Sequence, residues 1–144
     1  MNSFRLKTVS AAAALCVCSS LLVASPAGAV TAAQQAATDL GNGDGAGAAA
    51  IIAHAGFAKQ PVQLAGIIYQ GGLKAVARHN GDAYAKAVAY AFVHGGVSLL
   101  TVSETFGVAG TEAVAGGLTT EEAAAGVEAI VLTYAAYLRG GRIV

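Results

Sequence analysis

The clearest helix signal in this chain lies in residues 119–139, which read TTEEAAAGVEAIVLTYAAYLR. Glu122 follows Thr119 by three positions, the spacing of a capping box, and acidic residues in a first turn stabilise the positive end of the helix dipole. Apolar residues then recur at alternating intervals of three and four, as one face of an α-helix requires. We therefore predict a helix over 120–139. Its buried stripe is expected to comprise Ala124, Val127, Val131, Tyr134 and Leu138.

Earlier in the chain, two start signals predict two further helices. Pro61 suits the first position of a helix, because an N–H group at that position would have no acceptor within the helix and proline has no N–H to leave unpaired. It opens a predicted helix over 62–79. In the turn that follows, Asp82 is expected to cap a helix over 83–94. The second of these helices is apolar on several faces, which suits the centre of a bundle or a contact with a neighbouring subunit.

Residues 97–106 are ambiguous, since their Val, Thr and Leu content would tolerate a strand. No second strand candidate could pair with them, so we assign them to a helix. The prediction is an all-α fold, a small Ala/Gly-rich bundle of four to six short helices.

A short pattern recurs in which three apolar residues precede a polar residue, a small residue and a glycine. A polar or basic side chain in a last turn faces the exposed carbonyl groups, and glycine adopts the left-handed conformation that closes a helix. The pattern therefore predicts helix ends, although the residues after its first two copies could continue a helix. The four copies finish at Gly56, Gly72, Gly96 and Gly141.

Residues 1–29 have the three parts of a secretory signal peptide. Arg5 and Lys7 form a positive start, 11–23 is an uncharged and mostly apolar run, and Ala-Gly-Ala at 27–29 is a cleavage site. The apolar run is shorter than the roughly 20 residues that span a bilayer, which disfavours a retained anchor. We expect cleavage after Ala29, a secreted or periplasmic protein, and no transmembrane span in the mature chain.

Removal of this leader changes the chemistry available to the chain. Cys16 and Cys18 are lost, so the mature chain has no disulfide, no thiol nucleophile and no cysteine metal site. Lipidation fits poorly, because both cysteines lie inside the apolar run. The mature chain then has six basic and eight acidic residues. It lacks the excess of basic residues with which a dedicated nucleic-acid-binding protein contacts phosphates.

The mature chain is dominated by small residues, with 28 Ala and 18 Gly among 115 positions. Larger apolar residues occur throughout 49–144, which we predict to be one closely packed helical domain. By contrast, 30–48 has a single large apolar residue, Leu40, and four glycines between positions 41 and 47. We predict a flexible Ala/Gly-rich arm there, in which 32–37 could form a short helix.

No set of residues in the mature chain indicates catalysis, a cofactor or a metal. Its histidines are His54, His79 and His94, and none of them forms the i, i+4 pair that places two ligands on one helix face. His54 and His94 occupy the position that Gln70 and Arg139 fill in the helix-ending pattern, so capping explains them better than coordination. We therefore predict a protein that is not an enzyme.

The leading functional hypothesis is an exported helical protein that acts by self-assembly or protein contact, like a surface or filament subunit. Its charges are split: residues 55–95 carry four bases and one acid, whereas 96–138 carry five acids and no base. Complementary halves can pack within a monomer, or they can orient a head-to-tail contact between copies. The expected partner is a second copy or another exported protein.

The alternative is a periplasmic or extracellular binding module with an apolar pocket between its helices. Aromatic side chains supply much of the contact area in such pockets. The residues expected to line it are Tyr69, Tyr84, Tyr90, Phe92 and Tyr134.

Overall fold

The computed structural model describes residues 30–140, so the expected signal peptide lies outside the described residues. Within this range the chain forms six α-helices and one short 3₁₀ turn, with no strand, and the all-α prediction is confirmed. The helices are α1 (Ala32–Gly41), α2 (Gly45–His54), α3 (Pro61–Ala77), α4 (Gly81–His94), α5 (Leu99–Ala115) and α6 (Thr120–Gly140), and the 3₁₀ turn is Phe57–Lys59.

These helices form two layers of three. In one layer α3 packs between α1 and α5, and in the other α4 packs between α2 and α6. The layers meet where α1 contacts α2, α3 contacts α4 and α5 contacts α6. The central helices are therefore α3 and α4, and α4 has the multi-sided burial that its sequence predicts.

The segment expected to be a flexible arm differs from that expectation, because 30–48 forms α1 and the start of α2. Leu40 and Ala48 have no exposed surface and belong to the main core. Thr31 caps α1 in a reciprocal capping box with Gln34, and Asp44 caps α2 by accepting a hydrogen bond from the Gly47 N–H at 2.9 Å. The glycine-rich composition reflects close approach between backbones rather than flexibility.

Four helices end with the same arrangement, a Schellman motif. At the end of α4, the Val97 N–H donates to the Phe92 carbonyl at 3.0 Å, and the Gly96 N–H donates to the Val93 carbonyl at 3.4 Å. Corresponding pairs of bonds end α1, α3 and α5. Each motif has one residue of positive φ, namely Gly43, His79, Gly96 and Gly117.

The helix-ending pattern is confirmed at two of its four glycines. Gly56 and Gly96 both have positive φ and follow α2 and α4. It is wrong at Gly72, which lies inside α3, because the following residues continue the helix. Gly141 lies outside the described residues.

The helix starts agree with the sequence at most positions. Pro61 is the first residue of α3, and Thr119 accepts a hydrogen bond from the Glu122 N–H at 3.1 Å. Ser98 caps α5, which confirms helix rather than strand for most of 97–106. The expected cap at Asp82 is wrong, since α4 already begins at Gly81 and places Asp82 within its first turn.

The buried face of α6 is rotated from the predicted stripe. Tyr134 is buried as expected and Val127 is partly buried, but Val131 and Leu138 stay 37% and 49% exposed. Small or apolar residues occur on nearly every side of this helix, so the spacing predicts a helix without determining which side is buried. The residues that α6 buries against its neighbours are Ala123, Ile130 and Tyr134.

Candidate functional site

The five aromatic residues expected to line one pocket lie in separate parts of the bundle. Phe92 and Tyr134 belong to the core, where both pack against Phe106. The three ring centroids lie between 5.8 and 6.4 Å apart in tilted or edge-to-face geometry, which is a favourable packing of aromatic rings. These two residues therefore stabilise the fold.

Tyr84 joins the two central helices. Its hydroxyl donates to the Ile68 carbonyl of α3 at 2.5 Å, and an added Cβ at Gly72 would lie 3.2 Å from that hydroxyl. Burial raises the pKa of Tyr84 above its ordinary value of 10.0. Its surroundings are filled by protein, so Tyr84 also has a structural role.

Tyr69 is half-buried on the side of α3 that faces the end of α5. Its hydroxyl occupies the space where a Cβ on Gly116 would stand, so the missing side chain makes room for the ring. Burial, followed by the nearby charge of Glu112, raises the pKa of Tyr69 above its ordinary value. This tyrosine therefore packs α3 against the end of α5.

Tyr90, by contrast, borders an open groove of about 370 Å³. The groove lies between the α1–α2 turn, α4 and α6. Its walls combine small residues, two tyrosines, one carboxylate and one ammonium group. The lining residues are Gly43, Asp44, Gly45, Ala46, Lys86, Ala87, Tyr90 and Tyr137.

The glycine-rich turn that was expected to be flexible lines this groove. Gly43 has the positive φ that lets α1 end and the chain reverse. A Cβ added at Gly45 would lie 3.0 Å from both the Ala87 carbonyl oxygen and the Tyr90 Cβ. Glycine is therefore required for the start of α2 to lie directly on α4 beside Tyr90.

Two tyrosines that line the groove form a cluster with a neighbouring histidine. We call this cluster the aromatic trio: Tyr90, His94 and Tyr137. The Tyr90 and His94 rings stack at 4.0 Å with an angle of 26° between their planes. Tyr137 stands edge-on to Tyr90 at 6.4 Å and 75°, and its hydroxyl lies 2.7 Å from His94 Nε2. Tyr90 remains 36% exposed, so the trio is both ordered by its own contacts and open to solvent.

Two members of the trio were not identified from the sequence. His94 was assigned to helix capping, which agrees with its place in the last turn of α4. The i, i+4 spacing of Tyr90 and His94 predicts that their rings share a helix face. No local signal indicates Tyr137, because it approaches from α6 across the tertiary structure.

A second feature is a pair of exposed apolar regions. One lies on α6, which carries Glu121, Glu122 and Glu128 against Arg139, and the other lies at the basic C-terminal end of α3. The α6 outer face, defined as Glu128, Val131, Leu132 and Leu138, is exposed along the last helix, with Leu132 at 61%. At the C-terminal end of α3, Leu73 and Val76 are exposed on one side, with Val76 at 73%, and Lys74 and Arg78 are exposed on another. We call these four residues the α3 end patch.

The described residues contain neither a metal cluster nor a membrane span. Within 30–140, no three His, Cys, Asp or Glu side chains are grouped so that they could hold a metal ion. Among the same residues, no helix combines the length and hydropathy needed to cross a membrane.

Comparison of the chain with protein-family models, with curated proteins and with solved structures finds no match in any of the three. Its function is therefore inferred from the geometry of the groove and of the two apolar regions.

Proposed function

We propose that this protein is an exported, non-enzymatic subunit that acts by self-assembly. In this proposal the α6 outer face of one copy packs on the α3 end patch of the next. The observation that carries it is the exposure of large apolar side chains in two regions whose charges are opposite. Export rests on the predicted signal peptide.

The apolar content of each region supports a protein contact. Glu128 precedes Val131 by three positions and Leu132 by four, so these residues share one face of α6. Leu73 and Val76 have the same relation at the end of α3. Contiguous exposed apolar side chains with charged neighbours are typical of protein–protein interfaces.

The charges determine which partner fits. Lys74 and Arg78 lie one helical turn apart in the α3 end patch, and Glu128 lies in the α6 outer face. A second copy therefore offers the basic end of α3 an apolar helix of net negative charge, because α6 carries Glu121, Glu122 and Glu128 against Arg139. Because the two regions are different surfaces, the contact is heterologous and generates rings or open filaments rather than a closed two-fold dimer.

The test measures the molar mass of the exported chain by size-exclusion chromatography with light scattering, after mass spectrometry has identified its N-terminus. We expect wild-type protein to associate as its concentration rises. Arg78→Glu and Glu128→Arg should each weaken association about tenfold, because each places like charges together. The combined variant should recover much of the wild-type association.

Lys59→Glu is the matched control, since this exposed base lies on the 3₁₀ turn outside both regions. Its association should equal that of the wild type. A strictly monomeric wild type at high concentration, or two single variants that associate normally, would contradict the proposal.

A further inference from the structure

We infer that the groove beside the aromatic trio is a binding site for a neutral saccharide made of flat, all-equatorial pyranose rings. A sugar ring would lie against Tyr90 and Tyr137, with its hydroxyl groups directed to Asp44 and Lys86. This site is separate from the two regions proposed for self-assembly, and it does not depend on them.

The shape of the groove favours a ligand of this size. Its volume of about 370 Å³ is at the small end of the range for small-molecule sites. Gly43 and Gly45, which line it, have no side chains and so let the α1–α2 turn pack closely on α4. The groove is open to solvent rather than enclosed, so a sugar ring bound there can continue into a longer chain outside the groove. Such a site suits an oligosaccharide better than a compact ligand that needs full enclosure.

The tyrosines provide the apolar part of the recognition. Tyr90 and Tyr137 both line the groove, and their ring planes meet at 75°. The C–H bonds on the face of an all-equatorial pyranose form a flat apolar surface, which packs on an aromatic ring while the hydroxyl groups point outward. Two rings at a wide angle contact both a face and an edge of one sugar.

The charges of the groove favour a ligand without net charge. Asp44 and Lys86 both line it, so an anion would meet a carboxylate and a cation would meet an ammonium group. A polyhydroxylated neutral ligand has hydroxyl groups that donate to the first and accept from the second. Asp44 is also held in place, because its Oδ1 caps α2 through the Gly47 N–H at 2.9 Å.

The aromatic trio is ordered before any ligand arrives. His94 stacks on Tyr90 at 4.0 Å and lies within hydrogen-bond distance of the Tyr137 hydroxyl, at 2.7 Å. Side chains fixed in this way lose little rotamer freedom on binding, which improves affinity for a weakly interacting ligand such as a sugar. His94 is thus a positioning residue for both tyrosines.

The test uses the full exported chain, with a β-1,4-linked glucose tetrasaccharide as the probe and mannitol as the reference compound. Mannitol carries the same hydroxyl chemistry but has no ring face. Two-dimensional NMR should show shifts for the tetrasaccharide at positions 43–46, 86–94 and 137, and none for mannitol. Equal shifts with mannitol, or no groove shifts with the tetrasaccharide at tens of millimolar, would overturn the inference.

Variants locate the site. Tyr90→Leu keeps an apolar side chain but removes the ring, and it should weaken tetrasaccharide binding about tenfold. Tyr137→Phe keeps the ring and loses the contact with His94, so a loss of about twofold is expected. Tyr69→Leu is the matched control on α3 and should bind like the wild type; a loss there equal to that of Tyr90→Leu would contradict the assignment.

The same titration with Arg78→Glu separates this inference from self-assembly. Binding should persist in that variant whether or not its subunits associate, because Arg78 lies outside the groove lining. Binding that disappears with Arg78→Glu would show that the ligand needs an assembled surface, and would overturn the groove as a complete site.

Discussion

The first two helices differ from the last helix in composition and in burial. α1 and α2 consist largely of Ala and Gly, yet Leu40, Ala48 and Ile52 have no exposed surface. α6 has many more large apolar residues, yet Leu132 and Leu138 remain exposed. Burial in this bundle therefore depends on how closely the backbones approach and on how many neighbours a helix has. It does not depend on the number of large side chains that a helix carries.

The largest expected effect compares one leucine from each region. Leu40→Ala should lower the free energy of unfolding by about 3 kcal/mol, because it leaves a cavity in the completely buried core. Leu132→Ala should change it by less than about 0.5 kcal/mol in the monomer, because that side chain is exposed. Urea unfolding at low protein concentration measures both, and equal losses would remove the distinction between the two regions.

A smaller effect tests whether close backbone approach explains the glycines. An added Cβ at Gly41 would lie 2.7 Å from the Lys74 Cβ and 3.1 Å from the Gly71 carbonyl oxygen, so α1 and α3 would have to move apart. Gly41→Ala should therefore destabilise the protein by about 2 kcal/mol.

The control for this substitution is Gly107→Ala in α5. Nothing lies within 4 Å of a Cβ at Gly107, so alanine should instead stabilise the helix by up to about 1 kcal/mol. Thermal unfolding followed by circular dichroism distinguishes the two. A neutral Gly41→Ala would mean that α1 and α3 separate easily.

The free energy of unfolding above pH 10 tests the role of Tyr84, which joins the two layers. Burial raises the pKa of this hydroxyl above 10.0, so the folded state holds its proton more tightly than the unfolded chain does. The resulting stability is complete below pH 10 and is lost as the pH rises above it. Tyr84→Phe should lower stability by about 1.5 kcal/mol at neutral pH, through loss of the hydrogen bond to Ile68. It should also make unfolding less steeply dependent on pH above 10; an unchanged pH profile would contradict this role.

The smallest effects compare the ends of α3 and α4, which use the same hydrogen bonds with different residues. His79 has φ +53, whereas Gly96 has φ +79 at the corresponding position. His79→Gly should stabilise the protein by about 1 kcal/mol, and Gly96→Ala should destabilise it by about the same amount. No atom lies within 4 Å of a Cβ at Gly96, so its cost is conformational rather than steric. Chemical denaturation of both variants measures the two changes, and equal signs would contradict the explanation.

Much of the fold could be predicted from local signals. Pro61 begins α3, Thr119 caps α6 and Gly96 ends α4, because capping depends only on residues within one or two turns. The error over 30–48 arose because glycine is favoured both in flexible segments and where two helices lie very close. Those alternatives differ only in what packs against the glycine, and the local sequence does not contain that information.

The candidate site was predicted less completely than the fold. Of the five aromatic residues expected together, Tyr90 borders the groove, while Phe92 and Tyr134 fill the core. The spacing of aromatic residues along a helix indicates which ones share a face. Whether that face meets another helix or solvent depends on the neighbours that the fold supplies.

From local signals alone, the sequence predicted that most of residues 49–140 would be helical and where most of those helices begin and end. It also determined the split of charge between its two halves. These properties follow from interactions within a few residues, so they can be inferred along the chain. The packing of whole helices places Gly45 against Ala87 and Tyr90, and it brings Tyr137 of the last helix to His94. Such contacts join distant segments, and they depend on the close approach of whole helices rather than on local backbone preference.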